Sequence, residues 1–276
     1  MARAPRHQRT ARSSGVAVAT TLAVVVVAVG VVAYFHFHHA AATSSTTTLV
    51  TTTTLAPAAP LTGLPDPARQ AFSRPALTVK VENTPEALPQ WGIDRADVVY
   101  EEIVDGGITR LAAIFNSQAP AKVGPVRSVR PTDVSIVDPI KGIFAYSGGA
   151  PYAINDISAV PGLKLEDETT AGAAMYRDPT RQAPHNLYAS AGALFNLGGS
   201  PAPPTALFTY SSAPWRAGVA VSKFTVDFPS IYAVAWTWNA STTSWDRTLF
   251  GQPIVTGTGV RVSAINVVVM YVDYLG

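Results

Sequence analysis

Two apolar runs, Val98–Val104 and Ile108–Phe115, stand on either side of Asp105-Gly106-Gly107. An acid followed by paired glycines supplies the positive φ angles of a tight turn, so the stretch predicts an antiparallel hairpin. Strand alternation puts Ile108, Arg110, Ala112 and Ile114 on one face of the second run. Arg110 is then a charge on a largely apolar strand, where an unpaired buried guanidinium costs too much to keep. Glu101 and Glu102, on the partner strand, are the nearest acids in sequence.

The segment Gly124-Pro125-Val126-Arg127-Ser128-Val129-Arg130-Pro131 follows. Its prolines fix φ and push Arg130 out of helical geometry, which predicts extended or polyproline-like chain. At about three residues per turn, Arg127 and Arg130 emerge on one side and Val126 and Val129 on another. Paired guanidiniums of this kind suit bidentate capture of carboxylate or phosphate. The competing reading is a structural ion-pair network in which Glu101, Glu102 and Asp133 satisfy the arginines. Further on, Arg177, Arg181, His185 and Asn186 bring a second set of polar groups into proline-rich loops that hold one acid, Asp178.

Tyr146-Ser147-Gly148-Gly149 comes one residue short of the nucleophile elbow of serine hydrolases, with Asp156 or Asp178 and then His185 in that class's order. The first glycine of the elbow is missing, so a plain tight turn is the better reading. No G-x-G-x-x-G or phosphate-loop lysine pattern is present, and no cofactor is expected. His36, His38 and His39 lack nearby acids or cysteines to complete a coordination sphere, so no metal centre is expected either.

Several of these stretches together carry a resemblance. Pro60–Leu64, Arg74–Asn83, Ala96–Glu101, Gly106–Arg110, Val123–Ser128, Ser147–Gly149 and Ala183–Tyr188 resemble the N-terminal region of the YerB-like lipoproteins, a family defined only as a domain of unknown function. Residues from about Phe208 resemble the start of that family's second domain. The resemblance implies an extracytoplasmic, membrane-tethered α+β protein and supplies no activity. Many members carry an acylated cysteine, whereas this chain has no cysteine, so its anchor must differ.

Such an anchor is legible. Arg3, Arg6, Arg9 and Arg12 precede Val16–Phe35, twenty residues without a charge. That length crosses about 30 Å of hydrocarbon as a helix, and the arginines keep the N-terminus cytoplasmic. Ala40-Ala41-Ala42 offers the alternative of a cleaved signal peptide, for which the apolar run is too long. Thr43–Pro60 is low in large apolar groups and reads as a spacer of at most roughly 60 Å. Without the four N-terminal arginines, sixteen basic and eighteen acidic residues remain. That near-neutral balance excludes nucleic-acid binding by bulk charge.

The expected organisation is a basic tail (1–15), a transmembrane helix (16–35), a disordered linker (36–60), an α+β domain with a mixed sheet and short helices (61–200), and a mostly β second domain (205–276) that reads as incomplete. In the second domain, Leu207–Tyr210, Val221–Phe228, Ala233–Trp238 and Ile265–Tyr271 are expected strands, and Trp238 and Trp245 flank a turn. The leading functional expectation is a cell-envelope protein held in the plasma membrane through residues 16–35. It would bind an anionic envelope ligand or a protein partner through Arg110, Arg127, Arg130, Arg177, Arg181, His185 and Asn186. The alternatives are a phosphotransferase on lipid-linked pyrophosphate with Asp133 and Glu101 holding a metal, a hydrolase using Ser147, and a scaffold with its charges internally paired.

Overall fold

The computed structural model describes residues 57–198, 202–211, 213, 217–228 and 232–272. The apolar run 16–35, the histidines at 36, 38 and 39 and most of the spacer lie outside them. Among the described residues no helix is long and apolar enough to cross a membrane. Packing begins slightly before the expected domain start, because Ala59 is already buried beside Leu61.

Five strands form the first sheet: β1 (Leu77–Glu82), β2 (Val98–Ile103), β3 (Thr109–Phe115), β4 (Gly142–Ala145) and β5 (Leu163–Glu166). Their order is β2-β3-β1-β4-β5. The hairpin β2–β3 forms as expected, with Gly106 and Gly107 both at positive φ in its turn. β1 pairs antiparallel with β3 and parallel with β4, and β4 runs parallel to β5, which makes the sheet mixed.

Register decides what each face carries, because residues directly opposite one another share a face. Glu82, Arg110 and Glu102 stand in one row, with Lys80, Ala112 and Tyr100 in the next. Helices α1 (Asp133–Val137) and α2 (Pro151–Ser158) belong to this side. Val137, Ala153 and Ile157 pack there with Phe144 and Val129. The opposite face presents Val79, Val81, Leu111 and Ala113, and Glu101 falls there too.

That second face is covered by the hairpin β6 (Met175–Arg177) with β7 (Leu187–Ala189), by α3 (Ala191–Asn196), and by a second sheet. Ser190 caps α3 by accepting from Ala193 N. The second sheet comprises β8 (Lys223–Asp227), β9 (Ala233–Asn239), β10 (Ser244–Leu249), β11 (Gln252–Pro253) and β12 (Ser263–Ala264), almost wholly β as expected. Tyr232, Val234, Leu249, Ile254 and Val262 join Val79, Val81 and Leu111 in one apolar cluster.

Across the β9–β10 turn, Trp238 and Trp245 are direct partners with ring centroids 5.3 Å apart. Two expected strands do not form. Phe208 and Tyr210 lie in a strap whose Tyr210 hydroxyl donates to Pro60 O at 2.9 Å. Ile265–Tyr271 is apolar enough for a strand but has no ladder partner among the described residues, and a strand exists only by pairing.

One buried ion pair spans the apolar layer. Arg247 on β10 reaches both oxygens of Glu101 at 3.0 and 3.1 Å, while Asn83 and Thr109 also donate to Glu101. Arg247→Met leaves that carboxylate with neutral donors alone. It is expected to lower the unfolding free energy by about 3 kcal/mol in urea denaturation, with most of the loss recovered by adding Glu101→Met. A cost below about 1 kcal/mol for the single change contradicts a role for this tether.

Candidate functional site

The parallel strands β4 and β5 end together at Ala145 and Glu166 while β1 runs on to Glu82, and the polar side chains gather at that end. β1 and β4 pair only as far as Val79 and Ala145. Beyond that point the proline-bounded segment enters between them. Arg127 N donates to Lys80 O at 2.9 Å, Ser147 N donates to Arg127 O at 2.9 Å, and Val129 N donates to Gly148 O at 3.0 Å. Val126 and Val129 are buried while Arg127 and Arg130 stay half-exposed, the division that the sequence period predicts. Loops parting at the carboxyl ends of parallel strands are where ligands settle in sheets of this kind.

Lys80, fully buried on β1, sits beneath this segment. Its ammonium contacts the Glu102 carboxylate and lies 2.7 Å from Asp133 Oδ1. Burial pushes its pKa down to about 8, opposed by Asp133 and reinforced by Arg110 and Arg130. The second oxygen of Asp133 accepts from Arg130 N at 2.7 Å. One lysine thus fastens β2, β1 and α1 to the base of the arginine segment.

Arg110 therefore loses the acids that sequence assigned to it. Glu102 is its cross-strand neighbour but holds Lys80, and Glu101 points to the other face and holds Arg247. Arg110 is 6% exposed and donates through Nη1 to Ser128 O at 2.9 Å. Among the described residues it has no carboxylate within ion-pair distance. Burial, then Arg130 and Arg127, push its pKa down to about 10, with Glu82 and Asp105 pulling the other way.

Its two companions do have carboxylate partners. Arg127 Nε lies 3.2 Å from Glu82 Oε1, and Arg130 Nε lies 2.9 Å from Asp105, a largely exposed carboxylate. Glu82 also accepts from His185 Nδ1 at 2.9 Å. The structure thus brings Arg110, Arg127, Arg130 and His185 together.

The remaining residues of the expected site have other duties. Arg181 donates to Glu86 O, Leu88 O and Pro89 O and to the Tyr188 hydroxyl, which pins the 86–89 loop. Arg177 is paired with Glu168 at 2.7 Å and with Asn186 Oδ1 at 2.8 Å. Ser147 Oγ points to Glu168 Oε2 at 3.4 Å, Asp178 is taken by Lys122 and His185 by Glu82, so no serine–histidine–acid array assembles. Asp133 and Glu101 lie on opposite faces of the sheet and cannot share a metal. Lys80, Glu82, Asp105 and Arg247 are the charged residues that sequence reasoning missed. The alternation in Leu77-Thr-Val-Lys-Val-Glu82 was the signal for the first two.

The buried cations Lys80 and Arg110 should respond oppositely to removal. Lys80→Met strands two carboxylates and is expected to cost about 3–5 kcal/mol of unfolding free energy in chemical denaturation. Arg110→Met relieves crowding among guanidiniums and is expected to cost under about 1 kcal/mol, or to stabilise. Equal large losses contradict this assignment.

Comparison with known proteins agrees with this fold. The family described as "Protein of unknown function (DUF3048) N-terminal domain" matches residues 61–198. "Putative lipoprotein YerB" of Bacillus subtilis strain 168 is 38% identical over 132 residues, 48% of this chain and 40% of that protein. The match therefore spans well under half the relative's length. The crystal structure of the YerB protein from Bacillus subtilis superposes with a TM-score of 0.63 at 26% identity, covering 74% of this chain and 71% of that one. The arginine segment, the Ser-Gly-Gly strand exit and the His185 loop all fall inside the matched region, and the chain belongs to the DUF3048 family.

Proposed function

We propose that this protein is a membrane-associated, extracytoplasmic envelope protein that captures an anionic group, phosphate or carboxylate, between Arg110, Arg127 and Arg130. The observation that carries this reading is Arg110: a buried guanidinium with one carbonyl partner and no carboxylate, flanked by two more guanidiniums. A fold gains nothing from such crowding by itself, and an anion seated among the three offsets it through charge-assisted, bidentate hydrogen bonds. Arg127 and Arg130 are partly accessible, and Asp105, the largely exposed acid on Arg130, can be displaced without a large desolvation cost. The location rests on Val16–Phe35 with its preceding arginines, and on kinship with a protein described as a lipoprotein.

Calorimetric titration with inorganic pyrophosphate checks the binding reading. Arg127→Gln is expected to weaken affinity at least tenfold, about 1.4 kcal/mol, while exposed Arg95→Gln leaves it unchanged. Affinity should also fall steeply with added salt. No detectable binding, or equal binding by Arg127→Gln, contradicts the proposal. For location, protease added to intact cells is expected to remove residues 57–276. A fully protected chain contradicts an external domain.

A further inference from the structure

Next to the arginines lies a cavity of about 470 Å³ lined by Glu86, Thr180, Arg181, Gln182, Ala183 and His185. One lining residue, His185, shares a single carboxylate with Arg127. Glu82 receives Arg127 Nε on Oε1 at 3.2 Å and His185 Nδ1 on Oε2 at 2.9 Å. We propose that this cavity binds the sugar portion of an anionic carbohydrate, a sugar phosphate or a uronate, whose charge is held by the arginine cluster. The inference rests on the anion-binding reading above and names its ligand class.

The lining argues for this chemistry. Small-molecule pockets of this volume are usually walled by apolar and aromatic side chains. Here Ala183 is the one apolar residue and no ring lines the space except the imidazole, so a lipid tail or a stacked base finds no surface. The groups on offer are mostly acceptors, with the Gln182 amide as a donor among them. The Gln182 amide makes no side-chain hydrogen bond among the described residues and presents both functions. Glu86 is held ionised, its pKa lowered by its own backbone N–H and then by the Thr84 hydroxyl. With Nδ1 facing Glu82, His185 has Nε2 as its second polar atom. Thr180 donates to Asp178 Oδ1 at 2.6 Å and so has its oxygen left to accept. Acceptors of this kind beside one amide suit sugar hydroxyls, which give their protons to the carboxylate and the threonine oxygen and accept from the amide.

Titration of the full-length protein with glucose 1-phosphate, glucuronate, inorganic phosphate and glucose tests the inference. Glucose 1-phosphate or glucuronate is expected to bind at least tenfold more tightly than phosphate and than glucose, and whichever of the two does so identifies the charged group. Gln182→Ala, an exposed change that leaves folding intact, should reduce that advantage to threefold or less without altering phosphate affinity. Arg127→Gln should weaken both ligands. If phosphate binds but neither anionic sugar binds more tightly, the carbohydrate inference is overturned and the anion site stands. If glucose binds as tightly as its phosphate, the cavity and the arginines are not one site, and the inference is again overturned. If neither phosphate nor any sugar binds, the anion-binding reading falls with it.

Discussion

The ammonium of Lys80 is the interaction on which the polar half of this fold depends. It is fully buried and takes up Glu102 from β2 and Asp133 from α1. Asp133 in turn fixes the backbone of Arg130. Desolvating a lysine this completely requires its partners in place, and they are. The same pairing has an electrostatic consequence one row away on the sheet. With Glu102 and Asp133 committed to Lys80, Arg110 is left with a carbonyl for a partner and two arginines for neighbours. Cations paired to acids and a cation paired to a carbonyl thus share one face of one sheet, and the assignment of acids tells them apart.

Backbone topology places this arrangement where the β1–β4 pairing ends. β1 and β4 separate after three paired residues, and the segment between Pro125 and Pro131 fills the gap with two valines down and two arginines up. Arg181 fixes the neighbouring 86–89 loop through its carbonyls, and the β6–β7 hairpin carries His185 to Glu82. On the other face Arg247 holds Glu101 across the apolar layer. The second sheet thereby buttresses the first without contributing to the arginine edge.

Much of this was legible from short-range patterns. Asp105-Gly106-Gly107 dictated its hairpin because only a tight left-handed turn joins two apolar runs so closely. Arg127 and Arg130 declared their shared side because two prolines left the chain few conformations. The site's true electrostatics were not legible, and the reasons are geometric. Glu101 and Glu102 are adjacent in sequence but point to opposite faces of a strand, so they could never serve the same arginine. Lys80 reads as one polar letter in a strand, yet it competes successfully for Glu102 because register sets it one row from Glu102 and α1 brings Asp133 over it. Arg247 is far away in sequence and finds Glu101 only when the two sheets pack. Ile265–Tyr271 has strand composition and lacks a partner, which composition alone does not reveal.

Side-chain nitrogen–proton spectra of the arginines test the central claim most directly, because each guanidinium reports its own surroundings. On titration with pyrophosphate, the Nε–H signals of Arg110, Arg127 and Arg130 are predicted to move together along one saturable curve, while those of Arg181 and Arg177, already satisfied within the fold, stay fixed. Movement confined to exposed arginines such as Arg95, or a uniform drift of all arginine signals without saturation, contradicts a built anion site beneath Arg127 and Arg130.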